Sequence, residues 1–237
     1  NTPFGLGTQN PAGTAARFHG LTSTVFSTNI NPNVAYKFND VISVALGLQV
    51  EYFKVRLTSN SPVAGVTLNE LKGGSWGVGF TAGVTLKPVQ GTEIGIGYRS
   101  EMRVDLKGDF FGGAAAAAGA GISTALATAA FDVPVQAKLP LPQSVNLGIK
   151  QVINSQWTVL AGLEWTNWSV LKSPAVLKQS TGTAHALFAT GLPFNYQDGW
   201  YASLGAEYKW NPNLTLRGGV GYEWSPVKDR AFCPLAR

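Results

Sequence analysis

Charge is scarce in this chain. Asp, Glu, Lys and Arg make up 13% of its 237 residues, about half the ~25% share of an ordinary globular domain. A surface held in water mainly by charged side chains is therefore excluded. Long apolar runs are missing too. Mean hydropathy is only +0.06, and no Leu/Ile/Val stretch approaches the ~20 residues that a helical membrane span needs. The single cysteine, Cys233, rules out an internal disulfide. The two histidines, His19 and His185, have no nucleophile or ligand set at a readable spacing, so neither triad chemistry nor a metal centre is expected. No phosphate-binding glycine loop occurs. We expect no enzyme, no cofactor and no metal.

What is present points elsewhere. Hydrophobic residues reach 45%, aromatics 11%, and there are 28 glycines. Low charge, many aromatics and middling hydropathy suit a membrane β-barrel, where every second residue can be polar. The formal charge of +5 favours anionic surroundings, such as lipopolysaccharide or anionic lipid. Nucleic acid is not expected, because the basic residues do not cluster along the chain.

The firmest signal is alternation. Between Thr92 and Lys107, Ile94, Ile96, Tyr98, Ser100, Met102, Val104 and Leu106 share one parity. Six charged residues (Glu93, Arg99, Glu101, Arg103, Asp105, Lys107) share the other. Chance gives that about once in 32, given the two-residue period of a strand. Val41–Leu57, Trp76–Leu86, Gln156–Trp168, Trp200–Trp210 and Leu214–Trp224 behave alike.

A soluble antiparallel sandwich also alternates. These runs are longer than its usual ~5–6 residues, however, and match the ~9–11 that a tilted membrane strand needs. Aromatics gather at strand ends (Tyr52, Phe53, Trp76, Trp157, Trp165, Trp168, Trp200, Trp210, Tyr222, Trp224), where interfacial girdles lie. The expected fold is all-β, a transmembrane antiparallel up-and-down barrel in a Gram-negative outer membrane.

Short turns are predicted at Phe38-Asn39-Asp40, Lys87–Gly91, Ile153-Asn154-Ser155 and Asn211-Pro212-Asn213, from residues that favour tight reversals. Longer connections, near 58–75, 109–134 and 173–198, alternate with them. Short periplasmic turns and long extracellular loops are the rule for such barrels. The pattern yields about eight strands in four hairpins, beginning at Ser27–Phe38. No export signal is visible from Asn1, and Asp229–Arg237 leaves the alternation. We therefore expect a partial barrel, eight to ten strands of a larger one.

Several segments resemble the FadL-type outer-membrane transporters of long-chain fatty acids and hydrocarbons. They are Pro3-Phe4-Gly5-Leu6-Gly7-Thr8, Asn31-Pro32-Asn33-Val34-Ala35-Tyr36, Gly74-Ser75-Trp76-Gly77, and Gly97-Tyr98-Arg99-Ser100-Glu101 with Lys107-Gly108. Leu139-Pro140-Leu141-Pro142 followed by Val145, Glu164-Trp165-Thr166-Asn167-Trp168-Ser169, Asp198-Gly199-Trp200 and Ser225-Pro226-Val227 complete the series. The resemblance implies a fourteen-stranded barrel with an N-terminal hatch, of which this chain is a middle portion, expected to act as a monomer. It implies passive uptake of hydrophobic small molecules through an extracellular groove and a sideways opening in the wall. A structural or adhesive barrel without transport is the alternative.

Thr2, Pro3, Phe4 and Gly5 match the kinked strand that makes the family's lateral gate; by residue type alone they also suit an ordinary turn. Phe110–Phe131 is uncharged and rich in Ala and Gly. It suits a poor membrane helix, a low-complexity segment or an apolar loop over the barrel mouth, and the resemblance implies the loop. Phe110, Phe111, Ile122, Leu126 and Phe131 are thus groove candidates. Leu71 matches a pocket-lining position of the family. Arg99, Glu101, Arg103, Asp105 and Lys107 are expected to face the lumen as a wall network or a substrate path.

Overall fold

In the computed structural model the described residues are 7–9, 21–59, 69–112, 131–171, 176–179 and 195–227. They form strands β1 (Gly7–Gln9), β2 (Thr22–Ile30), β3 (Asn33–Lys37), β4 (Ile42–Ser59), β5 (Asn69–Leu86), β6 (Thr92–Arg99) and β7 (Met102–Gly112). These are followed by β8 (Phe131–Leu141), β9 (Ser144–Val152), β10 (Trp157–Thr166), β11 (Val176–Lys178), β12 (Gly199–Asn211) and β13 (Leu214–Trp224). Among the described residues no helix is long and apolar enough to cross a membrane.

All pairings are antiparallel, in the order β1-β2-β4-β5-β6-β9-β10-β12-β13. β3 continues β2 along β4 in one register, past Pro32, which has no N–H to donate. β7 and β8 continue β6 and β9. Strands β2 to β13 thus compose the eight runs expected, with β11 paired to β8, and β1 adds a ninth beside β2; among the described residues the sheet is open, with β13 paired on one side only. The strands run further than the sequence pattern suggested: β4 ends at Ser59, β5 begins at Asn69 and β7 reaches Gly112.

The turns form as their residues dictate. Asn39 Oδ1 accepts from the N–H groups of Val41 and Ile42 at 2.9 and 2.7 Å. Asn154 Oδ1 does the same for Gln156 and Trp157. In the first turn a hydrogen bond from Lys37, and then its charge, hold the Asp40 carboxyl below the ordinary Asp range.

Through the lower wall the two faces separate cleanly. Leu46, Leu48, Val78, Phe80, Ile96, Leu163, Leu204 and Val220 are exposed on the outer face. On the inner face Ser43, Thr85, Gly95, Gly148, Gly162, Ser203 and Gly221 are successive cross-strand partners. This belt of small side chains floors a trough of about 520 Å³.

Two aromatic girdles bound the outer face. At the turn end, Tyr36 meets Phe38 at 4.9 Å and Trp157 meets Tyr208 at 4.7 Å. At the loop end, Tyr52 meets Trp76 at 5.0 Å and Trp165 meets Trp200 at 6.5 Å. Trp200 and Trp210 sit at opposite ends of β12. At ~3.3 Å per residue and ~45° tilt they stand ~23 Å apart along the membrane normal, close to the ~25 Å apolar band of such barrels.

Above the upper girdle the polarity reverses. Along β4 the outward residues change from Leu48, Val50 and Tyr52 to Lys54 and Arg56. The inward ones change from Gln49 and Glu51 to Phe53, Val55 and Leu57. The strand has left lipid for water, so its outer face becomes charged and its inner face apolar.

Thr92–Lys107 does not form the single strand expected from its pattern. Thr81 pairs with Arg99 and Gly74 with Lys107, which is seven steps along β5 against eight along its partner. The extra residue acts as a bulge, and a slip of one residue exchanges the faces of a strand. Even-numbered residues point outward on β6. On β7, Met102, Val104 and Leu106 are buried on the inner side.

Candidate functional site

The slip builds an apolar chamber at the loop end. Phe53, Met102, Val104, Leu106 and Leu141 form its buried cluster, with Val25, Val55, Ala137 and Leu139 packed around it. β7 crosses close over the inner face of β5 because two glycines leave room. A Cβ on Gly77 would meet Val104 Cγ2 at 2.9 Å, and one on Gly79 would meet Met102 Cγ at 2.5 Å. Further up, β7 joins β5 edge to edge. Leu71 there pairs with Phe110 and Gly73 with Gly108. Between Gly74 and Thr81 no β5 residue is paired in either ladder on that side.

Leu71 and Phe110 therefore share the inner face, and Phe110 is buried. Phe111 has the opposite parity and is 38% exposed. Phe131 pairs through its backbone with Gly112. Ile122 and Leu126 lie outside the described residues, as do Thr2, Pro3, Phe4 and Gly5. A void of about 30 Å³ remains among Val55, Leu71, Gly73, Leu106, Gly108 and Val135.

Beneath the chamber lies a recess of about 520 Å³, bordered by Glu51, Arg99, Glu164, Tyr201 and Glu223. Alternation alone did not single out its buried polar floor. Gln49 and Glu51 are both fully buried. Asn29 Nδ2 donates to Glu51 Oε2 at 2.9 Å. Glu51 Oε1, both amide atoms of Gln49 and Asn31 Oδ1 make no hydrogen bond to a described residue.

The slip divides the five charged residues expected to form one ladder. Arg99 closes β6 on the inner face, opposite Thr81 and Ser144. Glu101 lies in the break and accepts from Arg103 Nε at 3.0 Å. Arg103, Asp105 and Lys107 are exposed on the face of β7 opposite the apolar cluster.

Three motif segments meet at the upper rim. The Asp198 carboxylate accepts from Trp165 Nε1 at 3.1 Å and from Ser169 N–H at 3.2 Å. Gly199 lies against Trp168, 2.9 Å from Cδ1 to its would-be Cβ. Gln197 N–H donates to Pro226 O at 2.9 Å.

Known proteins share this fold. A long-chain fatty acid transport protein of Salmonella typhi is 25% identical over 255 residues, covering 94% of this chain and 55% of its own length. The crystal structure of a Pseudomonas aeruginosa FadL homologue superposes with a TM-score of 0.78 at 20% identity, over 95% of this chain and 56% of that one. The Ralstonia pickettii toluene transporter TbuX has the same fold, with a TM-score of 0.67 at 20% identity, over 92% of this chain and 63% of that one. The chain spans about half the length of the curated relatives it matches. The family model described as outer membrane protein transport protein (OMPP1/FadL/TodX) matches residues 1–232. With the family model matching nearly the whole chain, this chain belongs to the OMPP1/FadL/TodX outer membrane transport proteins.

Proposed function

We propose that the intact protein carries hydrophobic compounds, long-chain fatty acids or aromatic hydrocarbons, passively across the outer membrane. The observation that carries this reading is the reversal of polarity above the upper girdle. Strands that face lipid below enclose apolar side chains above, at the end where the long connections emerge. A greasy molecule arriving from water gains about 25 cal/mol for each Å² of apolar surface it buries there. The names of the Salmonella typhi and Ralstonia pickettii relatives support both substrate classes.

The void of about 30 Å³ is far below the ~300–1,000 Å³ of a ligand pocket. Entry therefore requires the β7–β8 hairpin to move off the inner face of β4 and β5. The crossing at Gly77 and Gly79 has no side chains on the β5 side to interlock. Below the chamber, Glu51, Arg99, Glu164 and Glu223 make the recess polar and charged, a poor path for an apolar molecule. This favours exit sideways into the bilayer, which we place at Thr2, Pro3, Phe4 and Gly5, the segment that resembles the kinked strand of the family's lateral gate.

The test is uptake of labelled oleate and of toluene by a deletion strain with and without the intact gene. Faster uptake with the gene is expected. Equal uptake of both compounds in the two strains would leave only a structural or adhesive role.

A further inference from the structure

The basic residues, scattered in sequence, are gathered by the sheet. Phe26, Lys54, Gly74, Lys107 and Gln136 are successive cross-strand partners in the first outward row above Tyr52 and Trp76. The row above contains Arg56, Lys72 and Asp109, and the next contains Glu70 and Phe111. The first row holds two cations and no anion, and the second two cations and one anion; Glu70 and Asp132 lie in the third, and below the first row on the same face of β7 Asp105 stands opposite Lys138. Glu70 holds Arg56 at 2.7 Å. Lys54, Lys72 and Lys107 are exposed and make no ion pair with a described residue.

Gly74 has no side chain to separate Lys54 from Lys107. Their backbones stand two strand spacings apart, about 10 Å, so one phosphate-bearing headgroup fits between the two ammonium groups. Beyond the upper ends of β9, β10, β12 and β13 the adjoining residues are Gln143, Asn167, Asp198 and Ser225, none of them Lys or Arg.

We propose that Lys54, Lys72 and Lys107 bind the phosphates of lipopolysaccharide, whose acyl chains lie against Phe26, Trp76, Val78 and Phe80. The anion must come from a lipid rather than from free solute, because the row sits directly on exposed lipid-facing side chains: Phe26 is 55% and Trp76 60% exposed. The inference rests on the loop end facing outward, and not on which compound is transported.

The experiment uses the intact gene product in phosphatidylcholine vesicles doped with either lipopolysaccharide or phosphatidylglycerol. Retention of lipopolysaccharide is measured for the parent protein, for Lys54→Gln/Lys72→Gln/Lys107→Gln, and for the turn-end control Lys37→Gln/Lys87→Gln/Lys209→Gln. The loop-end variant is expected to lose retention by about fivefold per lysine, as for basic residues near an anionic surface, with the control unchanged. Unchanged retention in a variant that still shows the heat-dependent gel shift of a folded barrel would overturn the proposal. Equal losses for phosphatidylglycerol would overturn the assignment to lipopolysaccharide. Uptake of oleate and toluene is followed in parallel, so that failure of this site and failure of the transport reading are separable.

Discussion

Leu71 and Phe110 are direct cross-strand partners on the inner face of the β5–β7 ladder. Each was singled out for ligand contact on separate grounds, and the fold places them side by side. Phe110 is 3% exposed. Replacing it with Ala while the ladders persist should leave a folded barrel and lower uptake of oleate or toluene roughly tenfold, about 1.4 kcal/mol of lost binding. Leu71→Asn should do the same by placing an amide in the chamber. Parental uptake rates in both folded variants would remove this pair from the ligand path.

The hairpin movement has its own test. The would-be Cβ of Gly77 lies 3.8 Å from the Cβ of Met102, the mean separation across a disulfide. In a Cys233→Ser background, Gly77→Cys with Met102→Cys should close a bond that pins β7 to β5. Uptake should stop on oxidation and return with reductant. Full uptake with the bond formed, judged by thiol labelling, would show that the hairpin need not move.

Two glycines should behave in opposite ways. A Cβ on Gly108 would sit 1.8 Å from the backbone oxygen of Lys72, whereas one on Gly95 meets nothing within 4 Å. Gly108→Ala should break the edge pairing of β7 with β5 and abolish the heat-dependent gel shift. Gly95→Ala should change stability by less than ~0.5 kcal/mol, as surface substitutions do. Similar melting of both variants would contradict the described close approach.

The proposed exit predicts a loss without unfolding. Gly5→Glu should place a charge where an apolar molecule enters lipid, cutting uptake at least tenfold (about 1.4 kcal/mol or more) while lipopolysaccharide retention stays at the parental level. Normal uptake by this variant would move the exit elsewhere in the wall.

Much of the wall was legible in the residue order. Alternating side chains, aromatic ends and Asn/Asp/Gly/Pro turns report local geometry, and the eight runs follow from them. The chamber was less legible. In β4 the change of phase from Tyr52 to Phe53, Val55 and Leu57 is written in the residues and marks where the strand leaves lipid. In β6 and β7 the phase never changes. The same result is reached there by an extra residue near Ser100 and Glu101, where the Ser100 N–H still donates to Phe80 O at 2.9 Å. The pattern of Arg99 to Lys107 looked unbroken because a slip in pairing leaves no trace in the order of residues.

By itself, then, the sequence determined which residues alternate, where the chain turns and which side chains suit lipid. The pleat imposes a period of two on any strand, whatever its partner. Only the tertiary structure decided which face of β7 is the inside, that Gly77 and Gly79 admit a crossing strand, and that Lys54, Lys72 and Lys107 stand together above Trp76. Those outcomes depend on register, and register is a relation between strands distant in sequence.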